Sequence, residues 1–179
     1  GVGLVGSEMC IRDRLKRIQK KSSGCLFKYM TKEINKNLPA YLEKMNAEIL
    51  ELNFKTESLK MSFNPDEFFC HSDGTILQGG FVTTMLDASM AFLVMQLLDF
   101  KKVPLSIDIN VNFLSSGGPK FTIAEAKVIK IGKSIAFSSA ELFQDDVLIA
   151  TASSSIKLKD FISKNWLNNT IGKNIKIIK

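Results

Sequence analysis

The longest apolar run of the chain, residues 81–100, lies between regions in which apolar and polar residues alternate. Its sequence, FVTTMLDASMAFLVMQLLDF, is apolar around most of a helix but includes Asp87 and several small polar residues. A run of this length could span a membrane, yet its polar residues and its place between strands favour a buried core helix. We therefore predict one central helix over about 79–98 and no membrane span.

Alternation with a period of two predicts strands on both sides of this helix. Residues 47–63 alternate in two runs, which indicates a hairpin or one long bent strand, and residues 64–80 form a loop rich in Pro, Asp, Ser and Gly. In residues 105–115 apolar residues occupy alternate positions, so Ser106 is predicted to share a polar face with Asp108 and Asn110. Three further strands of a meander are predicted over residues 121–132, 133–144 and 145–158.

Residues 31–46 have a helical pattern, in which Pro39 either starts or kinks the helix. The central helix is apolar on all sides, so a sheet or a dimer partner must enclose it. We therefore predict an α+β fold in which an antiparallel sheet of five to six strands wraps around one long central helix, with an additional N-terminal helix.

The two ends of the chain are more basic than its middle. The net charge is +6, of which residues 1–21 carry +4 and residues 157–179 carry +5, leaving −3 for the residues between. Basic character at the ends alone argues against a nucleic-acid partner. The string SEMCIRDR resembles a translated sequencing adapter, so we expect residues 1–29 to be a non-native or disordered leader. The domain is then predicted over residues 30–158, and residues 159–179 form a basic tail.

Cysteine and histidine content limits the chemistry. The chain has three cysteines, an odd number without CxxC spacing, which argues against disulfides or a zinc site and suits a reducing cytosol. Its one histidine, His71, excludes a metal site with several histidines. We predict a cytoplasmic protein that needs no metal or cofactor.

The stretch QGGFVTTMLDASMAF, residues 78–92, opens the central helix with two glycines. Gly79 and Gly80 leave the N–H groups of the helix N-terminus accessible, and such groups suit an anion or a developing oxyanion. Gln78 adds an amide beside them. Close packing of helix against sheet would explain the glycine pair equally well.

Asp87 lies two helical turns further on, with mostly small or flexible neighbours that leave room for a substrate. A partly desolvated carboxylate in such a slot could act as a base or a nucleophile. The alternative is a structural aspartate that binds a loop or a partner chain.

At these residues the sequence resembles a known family. The stretch GTILQGGFVTTMLDASMAF is similar to the helix entry of hot-dog-fold acyl-CoA thioesterases of the phenylacetate-degradation type, within the 4-hydroxybenzoyl-CoA thioesterase superfamily. The family pattern has two glycines, six residues and an aspartate, which Gly79, Gly80 and Asp87 match. The segments LSIDINVNFLSS, AEAKVIKIGKSIAFSSAEL and LIATASSSIKL resemble its later strands, so the likeness covers roughly residues 47–158.

The resemblance implies hydrolysis of acyl-CoA thioesters to acid and CoA, in a homodimer or homotetramer with active sites at the interface. It implies that the Gly80 N–H polarises the thioester carbonyl, that Asp87 of the partner subunit attacks directly or activates water, and that Ser106 helps orient them. Gln78 stands where the family has histidine, and His71 or Ser72 replaces an upstream asparagine.

On the helix, the candidate substrate contacts are Gly79 at its start and Thr84 and Met90 beside Asp87. The resemblance implies contacts with CoA at the turn KIGKS, where Lys130, Gly132, Lys133 and Ser134 are the candidates. Two alternatives stay open: a hot-dog hydratase or dehydratase acting on acyl thioesters, and a non-catalytic acyl-CoA-binding module. The spacing of glycines and aspartate favours the thioesterase.

Overall fold

The computed structural model describes Asn35 and residues 38–160. Three predicted segments therefore lie wholly or largely outside the described residues. They are the leader, the first part of the N-terminal helix before Leu38, and the basic tail after Asp160. The described helices and strands, in chain order, are α1 (Ala40–Lys44), β1 (Glu48–Asn53), β2 (Ser58–Phe63), β3 (Cys70–His71), β4 (Ile76–Leu77), α2 (Gly79–Leu97), β5 (Lys102–Phe113), β6 (Thr122–Ile131), β7 (Ile135–Gln144) and β8 (Val147–Asp160).

The first elements follow the local sequence signals. Pro39 is the N-cap of α1, so the proline starts this helical segment rather than kinking it. The hairpin alternative for residues 47–63 is confirmed, because β1 and β2 pair antiparallel and Glu57 adopts a positive φ in the turn.

Six strands form one antiparallel sheet in the order β1-β2-β6-β7-β8-β5, and β3 pairs with β4 in a separate short ladder. The predicted meander is correct for β6, β7 and β8. It is wrong for β5, which pairs with β8 and not with β6. The connection from β5 to β6 thus crosses the sheet, and β5 becomes an edge strand of twelve residues.

The sheet wraps around α2, which begins and ends where the sequence predicts. Twelve of its residues are buried, and its mean hydropathy of 1.4 would suffice for a membrane span by length and composition. The helix packs against five strands of the sheet, so its apolar surface is covered by protein. This arrangement confirms the predicted hot-dog fold, with α2 as its core helix.

A β-bulge interrupts β5 and corrects one prediction. The register with β8 shifts between Ser106 and Asp108, which leaves Ile107 as the extra residue. Ser106 pairs with the fully buried Ile156 and therefore faces the helix, whereas Asp108 pairs with Ser155 on the outer face. Ser106 does not share a face with Asp108 and Asn110, because the bulge reverses the alternation between them.

One buried amide fastens the loop between β5 and β6. The side chain of Gln144 accepts a hydrogen bond from the Gly118 N–H and donates to the Gly118 carbonyl and the Thr122 hydroxyl, at 2.9, 2.8 and 2.7 Å. A Cβ on Gly117 would lie only 2.9 Å from Ile149 Cδ1 and 3.1 Å from Gln144 Oε1. The loop therefore runs close over the sheet, and a larger residue at position 117 would force these side chains to shift.

Candidate active site

Asp87 and Ser106 meet between the helix and the edge strand. The Ser106 hydroxyl donates a 2.6 Å hydrogen bond to Oδ1 of Asp87. Asp87 is partly exposed on α2 and Ser106 is exposed at the bulge of β5. One carboxylate oxygen is held in place while the carboxylate stays accessible from the open side of β5.

The residue before α2, Gln78, caps the N–H groups of the first turn of the helix. Gln78 is the N-cap, and its Oε1 accepts hydrogen bonds from the N–H groups of Gly80 at 2.6 Å and Phe81 at 3.3 Å. The Gly80 N–H is thus already engaged. The donor role that the resemblance assigns to Gly80 is not available in this arrangement.

The N–H of Gly79 has a different environment. None of the described residues accepts a hydrogen bond from it, and Gly79 is partly exposed at the first position of the helix. A Cβ at this position would lie 3.2 Å from Cζ of Phe113, whose ring covers Gly79 from the end of β5. Gly79 therefore combines close packing with an open N–H at the positive end of the helix dipole.

Two predicted substrate contacts have other partners. The Thr84 hydroxyl donates to the carbonyl of Gly80 at 2.8 Å, although the residue remains partly exposed on the same side of α2 as Asp87. Met90 is fully buried in the core and does not reach the accessible face of the helix. The contact of Met90 with substrate therefore stays a prediction, for a side chain that is buried in this chain.

Tyr41 of α1 is a neighbour of Asp87 that sequence reasoning missed. Burial raises the pKa of its phenol, and the negative charge of Asp87 raises the pKa further. The side chain is still 50% exposed, so α1 brings an aromatic hydroxyl to the accessible surface near the carboxylate. Tyr41 and Asp87 are 46 positions apart in the sequence, and no local pattern indicates that they are close.

His71 is exposed in the hairpin that precedes α2. Its Nδ1 lies 2.8 Å from the Ser72 hydroxyl, which is its hydrogen-bond partner among the described residues. A backbone hydrogen bond connects the segment before this hairpin to the start of α2: the Gln78 N–H donates to the Phe69 carbonyl at 3.0 Å. The structure places His71 and Ser72 beside each other and gives neither a contact with Asp87 or Ser106.

The turn KIGKS joins β6 to β7 at the Ser106 end of the sheet. The strand pairing places four residues in one row across the sheet: Ile131 of β6, Ala136 of β7, Ile156 of β8 and Ser106 of β5. Three strand spacings therefore separate the start of the turn from Ser106, which is about 14 Å. A Cβ on Gly132 would lie 3.0 Å from the Ile135 carbonyl oxygen, so a larger residue there would crowd the backbone of the turn. The contacts with CoA expected of Lys130, Gly132, Lys133 and Ser134 stay predictions.

Comparison with known proteins agrees with the fold. A family model for the thioesterase superfamily matches residues 74–150. A phenylacetic acid degradation-related protein of Ralstonia eutropha JMP134 aligns with a TM-score of 0.64 and 25% identity, over 67% of this chain and 90% of its own. No curated protein sequence gives a significant match.

Two more distant structures show the same fold. A thioesterase of Haemophilus influenzae aligns with a TM-score of 0.62 and 15% identity, over 69% of this chain and 85% of its own. The zebrafish thioesterase superfamily member 2 aligns with a TM-score of 0.56 and 21% identity, over 63% and 80%. The protein thus has the hot-dog fold of the thioesterase superfamily, which confirms the resemblance and supports thioester hydrolysis as its class of reaction.

Proposed function

We propose that the protein hydrolyses acyl-CoA thioesters to a free acid and CoA, and that Asp87 is the catalytic carboxylate. The observation that carries this proposal is the pair formed by Asp87 and Ser106 at the accessible side of the core helix. The open N–H of Gly79 supplies the second requirement of acyl transfer, a donor where negative charge develops on the carbonyl oxygen. A thiolate leaves readily, so no strong general acid is required.

These two groups are too far apart to act together within one chain. Gly79 and Asp87 are eight residues apart on α2, which is about 12 Å along the helix axis. A carbonyl bound at Gly79 must lie about 3 Å from its attacking atom. The site therefore needs Asp87 from a second copy of the chain.

The edge strand offers a way to bring the second copy in. β5 has twelve residues, and Leu105, Ile107 and Phe113 on it are 46%, 58% and 57% exposed. Long apolar edge strands are templates for pairing with another chain. We propose a homodimer in which β5 pairs antiparallel with β5 of the second copy about a two-fold axis.

Pairing of this kind joins the two halves of the site. Phe113 covers Gly79 near one end of β5, and Ser106 holds Asp87 about 20 Å away near the other. An antiparallel register that sets Phe113 opposite Ser106 of the second copy brings Gly79 of one chain toward Asp87 of the other. Two equivalent sites result.

The chemistry proposed for each site follows from these groups. The carbonyl oxygen of the thioester accepts from Gly79 N–H, and Asp87 of the second copy attacks the carbonyl carbon or removes a proton from the attacking water. The C–S bond then breaks and the CoA thiolate leaves and takes up a proton. By the first route, water afterwards hydrolyses the acyl-aspartate and restores the carboxylate.

Release of free thiol from a panel of acyl-CoAs tests this function. We expect the wild-type chain to release thiol, and Asp87→Asn and Asp87→Ala to lose about 10²-fold or more in kcat. Asp108→Asn is the matched control, because its carboxylate lies on the outer face beside Ser155. Unchanged rates in both Asp87 variants would disprove the role of Asp87.

The same panel separates the two alternatives. Hydration of an enoyl-CoA without release of thiol would identify a hydratase, and this would contradict the proposal. Binding of acyl-CoA without turnover would identify a non-catalytic binding module, and this result would also contradict the proposal. The retained carboxylate at position 87 favours catalysis over binding alone.

A further inference from the structure

The side-chain amide of Gln78 is hydrogen-bonded through its oxygen but not through its nitrogen within the described residues. Its oxygen accepts the hydrogen bonds from Gly80 and Phe81, and its backbone N–H is fixed to Phe69 of the preceding hairpin. The side chain is exposed, yet these bonds restrict its rotation. The other end of the amide, Nε2, has no acceptor among the described residues.

The second glycine of the pair makes room for this amide. A Cβ on Gly80 would lie 2.8 Å from Gln78 Oε1, which is shorter than side-chain atoms tolerate. Gly79 fulfils a different requirement, because it packs beneath the ring of Phe113. Each glycine thus has its own structural reason, and only Gly80 serves the Gln78 cap.

Capping alone does not require glutamine at this position. Ser, Thr, Asp and Asn are the preferred N-cap residues, and they bond to the same N–H groups with a shorter side chain. Glutamine loses more side-chain entropy when it is fixed. What glutamine adds over serine is a second, neutral N–H donor on the same rigid plane as the capping oxygen.

We propose that Gln78 is a catalytic residue whose Oε1 caps α2 while Nε2 donates a hydrogen bond to the thioester oxygen, beside the N–H of Gly79. This inference rests on the proposed thioesterase function and names the second oxyanion donor of that site. The cap holds Nε2 in place before the substrate binds. Donors oriented in advance stabilise the charge that develops in the transition state at little cost in reorganisation.

Gln78→Ser and Gln78→Met separate the two ends of the amide. Serine keeps a capping oxygen and removes Nε2, whereas methionine keeps the approximate shape and removes both groups. We expect Gln78→Ser to retain the wild-type Tm within about 2 °C and to lose about 10²-fold in kcat, with KM changed less than threefold. Gln78→Met should lose both thermal stability and kcat.

A Gln78→Ser variant with wild-type kcat would overturn the inference, since it would show that only the cap matters. A loss seen only as a raised KM would also overturn it, because a donor to the oxyanion acts mainly in the transition state. The Asp87→Asn variant, assayed in parallel, distinguishes the two proposals. If Asp87→Asn keeps full activity, the proposed function fails, whereas its inactivity together with an active Gln78→Ser removes only the role of Gln78.

Discussion

The hydroxyl of Ser106 donates to the carboxylate of Asp87 over 2.6 Å and joins the bulge of the edge strand to the middle of the core helix. The bond connects two residues that are 19 positions apart and on different elements. It orients Oδ1 and leaves Oδ2 available for chemistry. Because β5 is the strand that we propose to lie at the dimer interface, the same bond links the proposed catalytic carboxylate to that interface.

Replacing Ser106 by alanine should lower kcat about tenfold, because Asp87 loses the hydrogen bond that orients it. In the double variant with Asp87→Asn, we expect no further loss beyond that of Asp87→Asn alone, since the two residues act as one unit. Steady-state thiol release checks both effects. Ser153→Ala on the outer face of β8 is the control, and additive losses in the double variant would contradict coupling of the pair.

Two inactive variants should complement each other if each site draws on both chains. Gly79→Val crowds Phe113 and covers the Gly79 N–H, and Asp87→Ala removes the carboxylate. When the two chains are co-expressed, half of the dimers are mixed and each has one intact site, so activity should recover to about a quarter of wild type. Co-expression of Asp87→Ala with Asp87→Asn is the negative control.

Absence of recovery in the complementation assay, with mixed dimers detected by differently tagged chains, would place both halves of the site in one chain. That result would contradict the proposed dimeric site.

The charge of Asp87 should be measurable at Tyr41. Burial and the carboxylate both raise the pKa of this phenol, so Asp87→Asn should lower the pKa while leaving it above the ordinary value. The chain has two tyrosines, and a Tyr29→Phe background isolates Tyr41 in an alkaline absorbance titration. An unchanged pKa would show that the two side chains do not interact.

The sign of the accompanying stability change follows from linkage. Above about pH 10 the unfolded chain loses the phenol proton before the folded chain does, so the folded state becomes less stable as pH rises through the raised pKa. Asp87→Asn should make this alkaline loss smaller. Urea unfolding at several alkaline pH values measures the difference.

Gln144 and Gln96 form a matched pair for a stability prediction, because each is only 4% exposed. Gln144→Leu leaves the partly buried Gly118 N–H without its acceptor and removes the hydrogen bonds of the amide to the Gly118 carbonyl and the Thr122 hydroxyl, which should cost about 1–3 kcal/mol in free energy of unfolding. Gln96→Leu removes an amide whose Nε2 has no hydrogen-bond partner within the described part of the chain, so its effect should be neutral or stabilising. Equal losses in both variants would contradict this account.

Periodicity in the sequence was sufficient for most of the architecture. The apolar run of α2 and the alternation of β1, β2, β6, β7 and β8 predict the secondary structure, because helices and strands repeat their buried positions at different intervals. The same reasoning placed β5 in a meander, and this was wrong. Strand order depends on which edges remain free after the sheet curves around the helix, and local pattern contains no such information.

The sequence also drew attention to the entry of the core helix as the candidate site. Glycines at positions 79 and 80 and a carboxylate at 87 are unusual in a core helix, and this composition drew attention to them without any structure. Their individual roles did not follow from composition. The occupancy of the Gly80 N–H by Gln78 depends on how one flexible side chain folds back onto the helix.

What the sequence by itself determined was an apolar helix with one carboxylate, enclosed by alternating strands. Only the tertiary structure decided that Ser106 faces that carboxylate, because a single extra residue in β5 reverses the alternation that would have turned it outward. Tyr41 likewise reaches the site through packing of α1, which no local pattern encodes. Periodicity specifies which residues are buried within an element, whereas bulges and long-range packing specify which side chains meet.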